Sequence, residues 1–140
     1  MNRIISTMII AFSLLGLGAC GSTSNAIDAA HNSRNSLNWP GVYAGTIPAA
    51  DGPGINVELT LNSNETYKIS YQYIDRGNDV FTETGSFKWD NAGGKIMLDA
   101  REMPSYYQVG ENRLIQLDMN GNKITGVLAA NYELKKVSDL

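Results

Sequence analysis

The stretch Ile55-Asn-Val-Glu-Leu-Thr-Leu-Asn-Ser-Asn-Glu-Thr-Tyr-Lys-Ile-Ser-Tyr-Gln-Tyr73 decides the fold. Its first half places Ile55, Val57, Leu59 and Leu61 on one face and Asn56, Glu58 and Thr60 on the other. Its second half repeats the pattern, with Tyr67, Ile69, Tyr71 and Tyr73 against Lys68, Ser70 and Gln72. Successive side chains of a strand point to opposite faces, so period two on both sides of the turn Asn62-Ser-Asn-Glu65 specifies an antiparallel hairpin with one buried face.

Working outward, Gly41 to Ile47 reads as a preceding strand, and Val80 to Trp89 as a following one after the turn Asp75-Arg-Gly-Asn-Asp79. That third element puts Phe81, Gly85, Phe87 and Trp89 in one phase and Thr82, Thr84, Ser86 and Lys88 in the other. Further strands are expected at Lys95 to Leu98, Tyr106 to Val109 and Arg113 to Leu117. Asn120-Gly121 is a two-residue hairpin signal before an expected strand at Lys123 to Leu128, and Asn131 to Lys135 reads as the last. Eight or nine short strands are enough to close a barrel, which removes free edges. The expected class is therefore all-β, a small antiparallel barrel over residues 38–137, with neither an internal repeat nor a second compositional block.

The 140 residues carry 11 Lys and Arg against 14 Asp and Glu, a net charge of −3. Phosphate binding needs a concentrated basic patch, and none is visible, so nucleic acid is not an expected partner. The single Cys is Cys20, so the part beyond it cannot form an internal disulfide.

The N-terminus has its own signature. Arg3 makes a short positive start, and Ile4 to Leu17 is apolar except for Ser6, Thr7, Ser13 and Gly16. A membrane-spanning helix needs about 20 apolar residues, so this run is short for a permanent span and suits a cleaved export signal over residues 1–19. It ends in Leu17-Gly18-Ala19-Cys20, which resembles the bacterial lipobox, where a large aliphatic and two small residues precede an obligatory Cys. A coincidental Cys after an ordinary cleavage site is the alternative; position, spacing and the lack of any other Cys favour lipidation of Cys20. Acyl chains contribute about 0.8 kcal/mol per buried methylene, so more than one chain anchors a protein stably to a membrane. Residue 21 is Gly, which the lipoprotein sorting rule associates with the outer membrane. Residues 20–37 are small and polar and read as a flexible tether with one possible helical turn at Ala26 to Ala30.

The order Asn38-Trp-Pro-Gly-Val-Tyr-Ala-Gly-Thr-Ile-Pro-Ala-Ala-Asp-Gly-Pro-Gly-Ile55, then Leu59-Thr-Leu-Asn62, Phe81-Thr-Glu-Thr-Gly-Ser-Phe87 and Tyr107-Gln-Val-Gly110, resembles the N-terminal domain of the NlpE copper-resistance lipoproteins. The resemblance implies a lipocalin-like barrel at the outer membrane, copper tolerance and the signalling of envelope stress through protein contacts. In that family the segment after the first strand reads Pro-Cys-x-x-Cys-Pro-Gly. Here the two cysteine positions fall on Ala49 and Gly52, which offer no ligand for Cu(I) and no redox dithiol, so neither metal nor cofactor is expected. Longer members carry a further OB-type domain with its own cysteines. A lipocalin-like carrier of small molecules in the periplasm is the alternative that the barrel leaves open.

Few residues point to chemistry. His31, the only His, falls in the expected tether, and Met97, Met103 and Met119 lie on separate elements without clustering. A nucleophile triad needs a His inside the domain, so an enzyme is not expected. Glu83 stands out because it shares the apolar phase of Phe81 and Phe87. Either a bulge at Gly85 returns it to solvent, or it sits at the barrel mouth or interior, paired with a Tyr or with Arg101 or Arg113. Tyr71 and Tyr73 with Glu83 form the candidate pocket, while a plain core stripe is the other reading of the tyrosines.

Overall fold

A computed structural model describes residues 31–140, so the expected leader 1–19, Cys20 and the first part of the tether lie outside the described residues. Eight strands form one closed antiparallel ring in chain order. They are β1 Gly41–Ile47, β2 Ile55–Leu61, β3 Thr66–Tyr73, β4 Phe81–Trp89, β5 Lys95–Leu98, β6 Tyr106–Gly110, β7 Arg113–Gln116 and β8 Glu133–Ser138. Each pairs with the next, and β8 returns to β1. The β2–β3 hairpin holds its register throughout, from Ile55 opposite Tyr73 to Leu61 opposite Tyr67.

Alternation then fills the inside. Tyr43, Leu59, Ile69, Tyr107, Leu114 and Leu134 are almost fully buried and meet along the barrel axis. Each such side chain contributes roughly 1.5–3 kcal/mol by leaving water, which is how a domain with no disulfide holds together. The strand interior tolerates Gly45 because β8 passes so close: a Cβ there would lie 2.8 Å from the Glu133 carbonyl oxygen.

One end of the barrel is plugged. The expected tether stops short of Leu37, because Asn32 caps a four-residue helix, α1 (Ser33–Ser36), that docks on the β-turns. Ser33 Oγ donates to the Val109 carbonyl at 2.8 Å, the Arg34 amide donates to the Gly93 carbonyl, and the Arg34 guanidinium pairs with Glu65. Trp39 follows as a stopper, its indole Nε1 donating to the Arg34 carbonyl at 3.1 Å and its ring meeting Phe87 and Trp89 edge-on. The other end carries the loops joining β1 to β2, β3 to β4, β5 to β6 and β7 to β8.

The expected strand at Lys123 to Leu128 does not form. The Asn120-Gly121 turn is present, with Asp118 Oδ1 accepting from the Asn120 and Asn122 amides, but only a single bridge, Leu117 to Lys123, follows it. The segment then runs through Gly126 at φ 103° and fully exposed Val127 into a 3₁₀ turn at Ala129–Asn131. With β8 already taken by β7 and β1, the ring has no place for a ninth strand.

Candidate functional site

The loop end is where the expected site residues converge. Tyr71 on β3 lies opposite Phe81 on β4, and Ile69 lies opposite Glu83. Tyr71 and Phe81 stack at 5.4 Å, and Tyr73 meets both edge-on. Beside them opens a cleft of about 460 Å³ lined by Tyr71, Phe81, Thr82, Glu83, Thr84, Asp99, Arg101 and Glu102. Tyr71 and Glu83 therefore share one cleft, while Tyr73 does not line it but packs behind Tyr71 and Phe81 and carries the Arg76 guanidinium 5.4 Å from its ring centroid.

Glu83 occupies the inner phase without any bulge, since the β3–β4 register runs unbroken from Thr66 opposite Ser86 to Tyr71 opposite Phe81. Of the expected partners Arg101 does meet it, but through its backbone N–H and not its guanidinium. Oε1 accepts the Arg101 backbone N–H at 2.7 Å, and Oε2 lies 3.5 Å from that of Glu102, so the carboxylate holds the β5–β6 loop by its backbone. Arg113, the other expected partner, sits near Glu133 instead, at 3.8 Å.

Gly85 has a different job from a bulge. A Cβ there would lie 2.0 Å from Asp99 Oδ1 and 2.9 Å from Tyr67 Cε1, so the missing side chain makes room for the Asp99 carboxylate. Asp99 Oδ1 accepts the Ser86 N–H at 3.1 Å. The buried Tyr67 hydroxyl faces the Asp99 and Glu83 carboxylates at a geometry short of a well-formed hydrogen bond. Burial above all, then Asp99 and Glu83, pushes that phenol far above its ordinary range. Tyr71 shifts upward as well, through burial and then Tyr73, Glu102 and Glu83. Burial pushes Tyr107 up most strongly, with Tyr67 adding to it, and raises Tyr43 to about 12 with help from Asp139. Asp99, Glu102 and the exposed half of Phe81 were not legible as site residues, and Arg101 was legible only as a partner for Glu83; an isolated Gly in an alternating strand was the one signal that another group approaches closely.

The loop that resemblance made the metal position offers nothing for one. Ala49 and Gly52 bring no donor atom, and the lone carboxylate of the loop, Asp51, is paired with Arg76. Among the described residues no three His, Cys, Asp or Glu side chains gather as a metal-holding group. The Met97 and Met119 side chains are exposed on separate elements, and Met103 belongs to the core. His31 is exposed at the start of the described residues.

The geometry defines a small antiparallel barrel with a filled interior, one plugged end and one end of open loops bearing a charged cleft. Comparison with known proteins makes the assignment specific. The family model for the NlpE N-terminal domain matches residues 43–127, and the chain belongs to that family. It is 25% identical over 137 residues to the lipoprotein NlpE of Escherichia coli (strain K12), covering 96% of this chain and 57% of that protein, so it spans little more than half of its curated relative. Among solved structures, a Shewanella oneidensis protein assigned as a lipoprotein matches with a TM-score of 0.71 and 43% identity, over 76% of this chain and 95% of that one. The Cpx pathway activator NlpE of Escherichia coli matches with a TM-score of 0.51 and 28% identity, over 62% of this chain and 46% of that one.

Proposed function

We propose that this protein is an outer-membrane lipoprotein, held by acyl chains on Cys20, that works without catalysis through protein contacts at the loop end of its barrel, in the sensing of envelope stress. The observation that carries the reading is polarity along the barrel axis. The described chain enters at the plugged end, where Ser33 and Arg34 are bonded to Val109, Gly93 and Glu65. Val80, Phe81 at the start of β4, Val127 and Leu128, all exposed, lie at the opposite end. An anchor attached through α1 would leave that end facing away from the lipid. A relative that is a Cpx pathway activator supports a signalling role over copper binding, since the donor set at Ala49 and Gly52 does not fit a soft metal.

The carrier alternative needs a cavity along the axis, and Tyr43, Tyr67 and Tyr107 occupy that space. The test is recovery of partners crosslinked in intact cells, before the envelope is extracted, by the lipidated protein and by its Cys20→Ser form. Partners retained by the lipidated form and lost with Cys20→Ser are expected; no enrichment by either form would refute the reading.

A further inference from the structure

The ring is closed, yet one of its seams is only half sewn. The ladder between β4 and β5 pairs Phe87, Lys88 and Trp89 with Leu98, Met97 and Ile96, and goes no further. The chain leaves it at Asp99 and turns toward Arg101, whose backbone N–H is taken by Glu83. β4 itself continues for a further six residues to Phe81, paired with β3 on one side only.

Which groups this leaves open follows from alternation. The Phe87 N–H donates to the Glu65 carbonyl, on the β3 side, so Gly85 and Glu83 also direct their backbone groups toward β3. Ser86 faces the other way, accepting from the Asp99 N–H and donating to Asp99 Oδ1. Thr82 and Thr84 share the phase of Ser86, so their N–H and C=O groups point away from β3 into the cleft. Among the described residues none of these four groups has a hydrogen-bond partner; the Thr82 hydroxyl meets Ser70 on the outer face.

Proteins blunt such edges with Lys, Pro or a bulge, because an open edge is a template for another strand. Phe81-Thr-Glu-Thr-Gly85 has no Lys, Pro or bulge, and the carboxylate of its one inward-pointing charge, Glu83, is already taken by the Arg101 amide. The cleft beside it continues the line that β5 abandons, and Tyr71, Phe81, Asp99 and Glu102 line it together with the edge. Three acidic residues, Glu83, Asp99 and Glu102, and one basic residue, Arg101, line this opening.

We infer that the Thr82–Thr84 edge of β4 binds an extended, Lys- or Arg-bearing segment of a partner protein by strand addition. Main-chain bonds to the open groups of Thr82 and Thr84 set the register, Phe81 and Tyr71 receive an apolar side chain, and the acidic rim selects a basic segment. The inference rests on the contact reading above and names the surface that makes the contact.

The probe is the acetylated, amidated peptide Thr-Lys-Val-Lys-Val-Thr, added to the full chain in detergent and followed by residue-resolved amide hydrogen exchange. In the free protein the Thr82 and Thr84 amides should exchange at least about tenfold faster than those of Glu83 and Gly85, because open edges lack protection. Saturating peptide should slow Thr82 and Thr84 by about tenfold or more and leave Glu83 and Gly85 unchanged. A peptide N-methylated at alternate residues keeps charge and side chains but loses main-chain donors, and should protect neither Thr. Thr84→Pro deletes one edge N–H and should abolish protection at Thr82. Should that variant not fold, exposed Glu102→Lys should weaken binding by roughly threefold or more at low salt. Any of four results overturns the inference: no binding, binding without protection at Thr82 and Thr84, equal protection by the N-methylated peptide, or protection that rises with protein concentration in the absence of peptide. None of them touches the Cys20→Ser comparison, so a failed edge and a failed contact reading are separable.

Discussion

At the scale of single residues, Gly85 and Glu83 look alike as anomalies in an apolar phase, but physics treats them differently. Gly85 sits in regular register and is needed for space, since Asp99 Oδ1 occupies the volume its side chain would fill. Overpacking a settled interior costs about 1–3 kcal/mol, so Gly85→Ala should lower stability by that amount in a urea titration. Adding Asp99→Gly should recover part of the loss, a non-additivity expected only of side chains in contact. Glu83 matters through charge-assisted bonds to the Arg101 and Glu102 amides. Glu83→Ala should cost about 1 kcal/mol, and Glu83→Gln less, because the amide oxygen still accepts. A Glu83→Gln variant weakened as much as Glu83→Ala would point to charge alone.

At the scale of elements, the informative piece is the plug. α1 is far too short to be stable by itself, so its order comes from Ser33, Arg34 and the indole of Trp39 fixing it to the turns. Removing Trp39 exposes Phe87 and Trp89 beneath it, and truncation of a buried aromatic costs about 3–5 kcal/mol. Trp39→Ala should therefore lower the chemical-denaturation midpoint sharply. Arg34→Ala should change it by less than about 1 kcal/mol, since its pair with Glu65 is solvent-exposed. Strands β1, β2 and β5 fall where alternation places them, because each has a half-buried pleat with its own period. The segment after Asn120-Gly121 does not, because whether a short apolar run becomes a strand depends on a free neighbour, and closure had used the neighbours up.

At the scale of the whole molecule, the buried tyrosines set the response to alkali. Tyr43, Tyr67 and Tyr107 all have folded-state pKa values raised above the ordinary 10.0 of the unfolded chain. A raised pKa means the native state holds its protons where the unfolded state has lost them. Their stabilisation is complete below about pH 10 and declines as pH climbs above it. Tyr107, almost fully buried, contributes a loss of about 1.4 kcal/mol per pH unit in that range. Melting temperature should thus fall from pH 10 upward, and Tyr107→Phe should flatten the fall; an identical alkaline slope in the variant would remove this account.

Alternation alone, read from Ile55 to Tyr73 and outward, determined that this chain makes an antiparallel sheet with Leu59, Leu61, Tyr67 and Ile69 inside, because side-chain direction in a strand is a local property of the backbone. Motif order pointed to the NlpE family for the same reason, and the loss of thiols at Ala49 and Gly52 was visible residue by residue. The half-open β4 edge, the Asp99 carboxylate over Gly85 and the docking of α1 at the entry end were decided only by tertiary structure. Each depends on where a distant segment leaves or joins the ring, and ring closure is a condition on all eight strands at once that no local window contains.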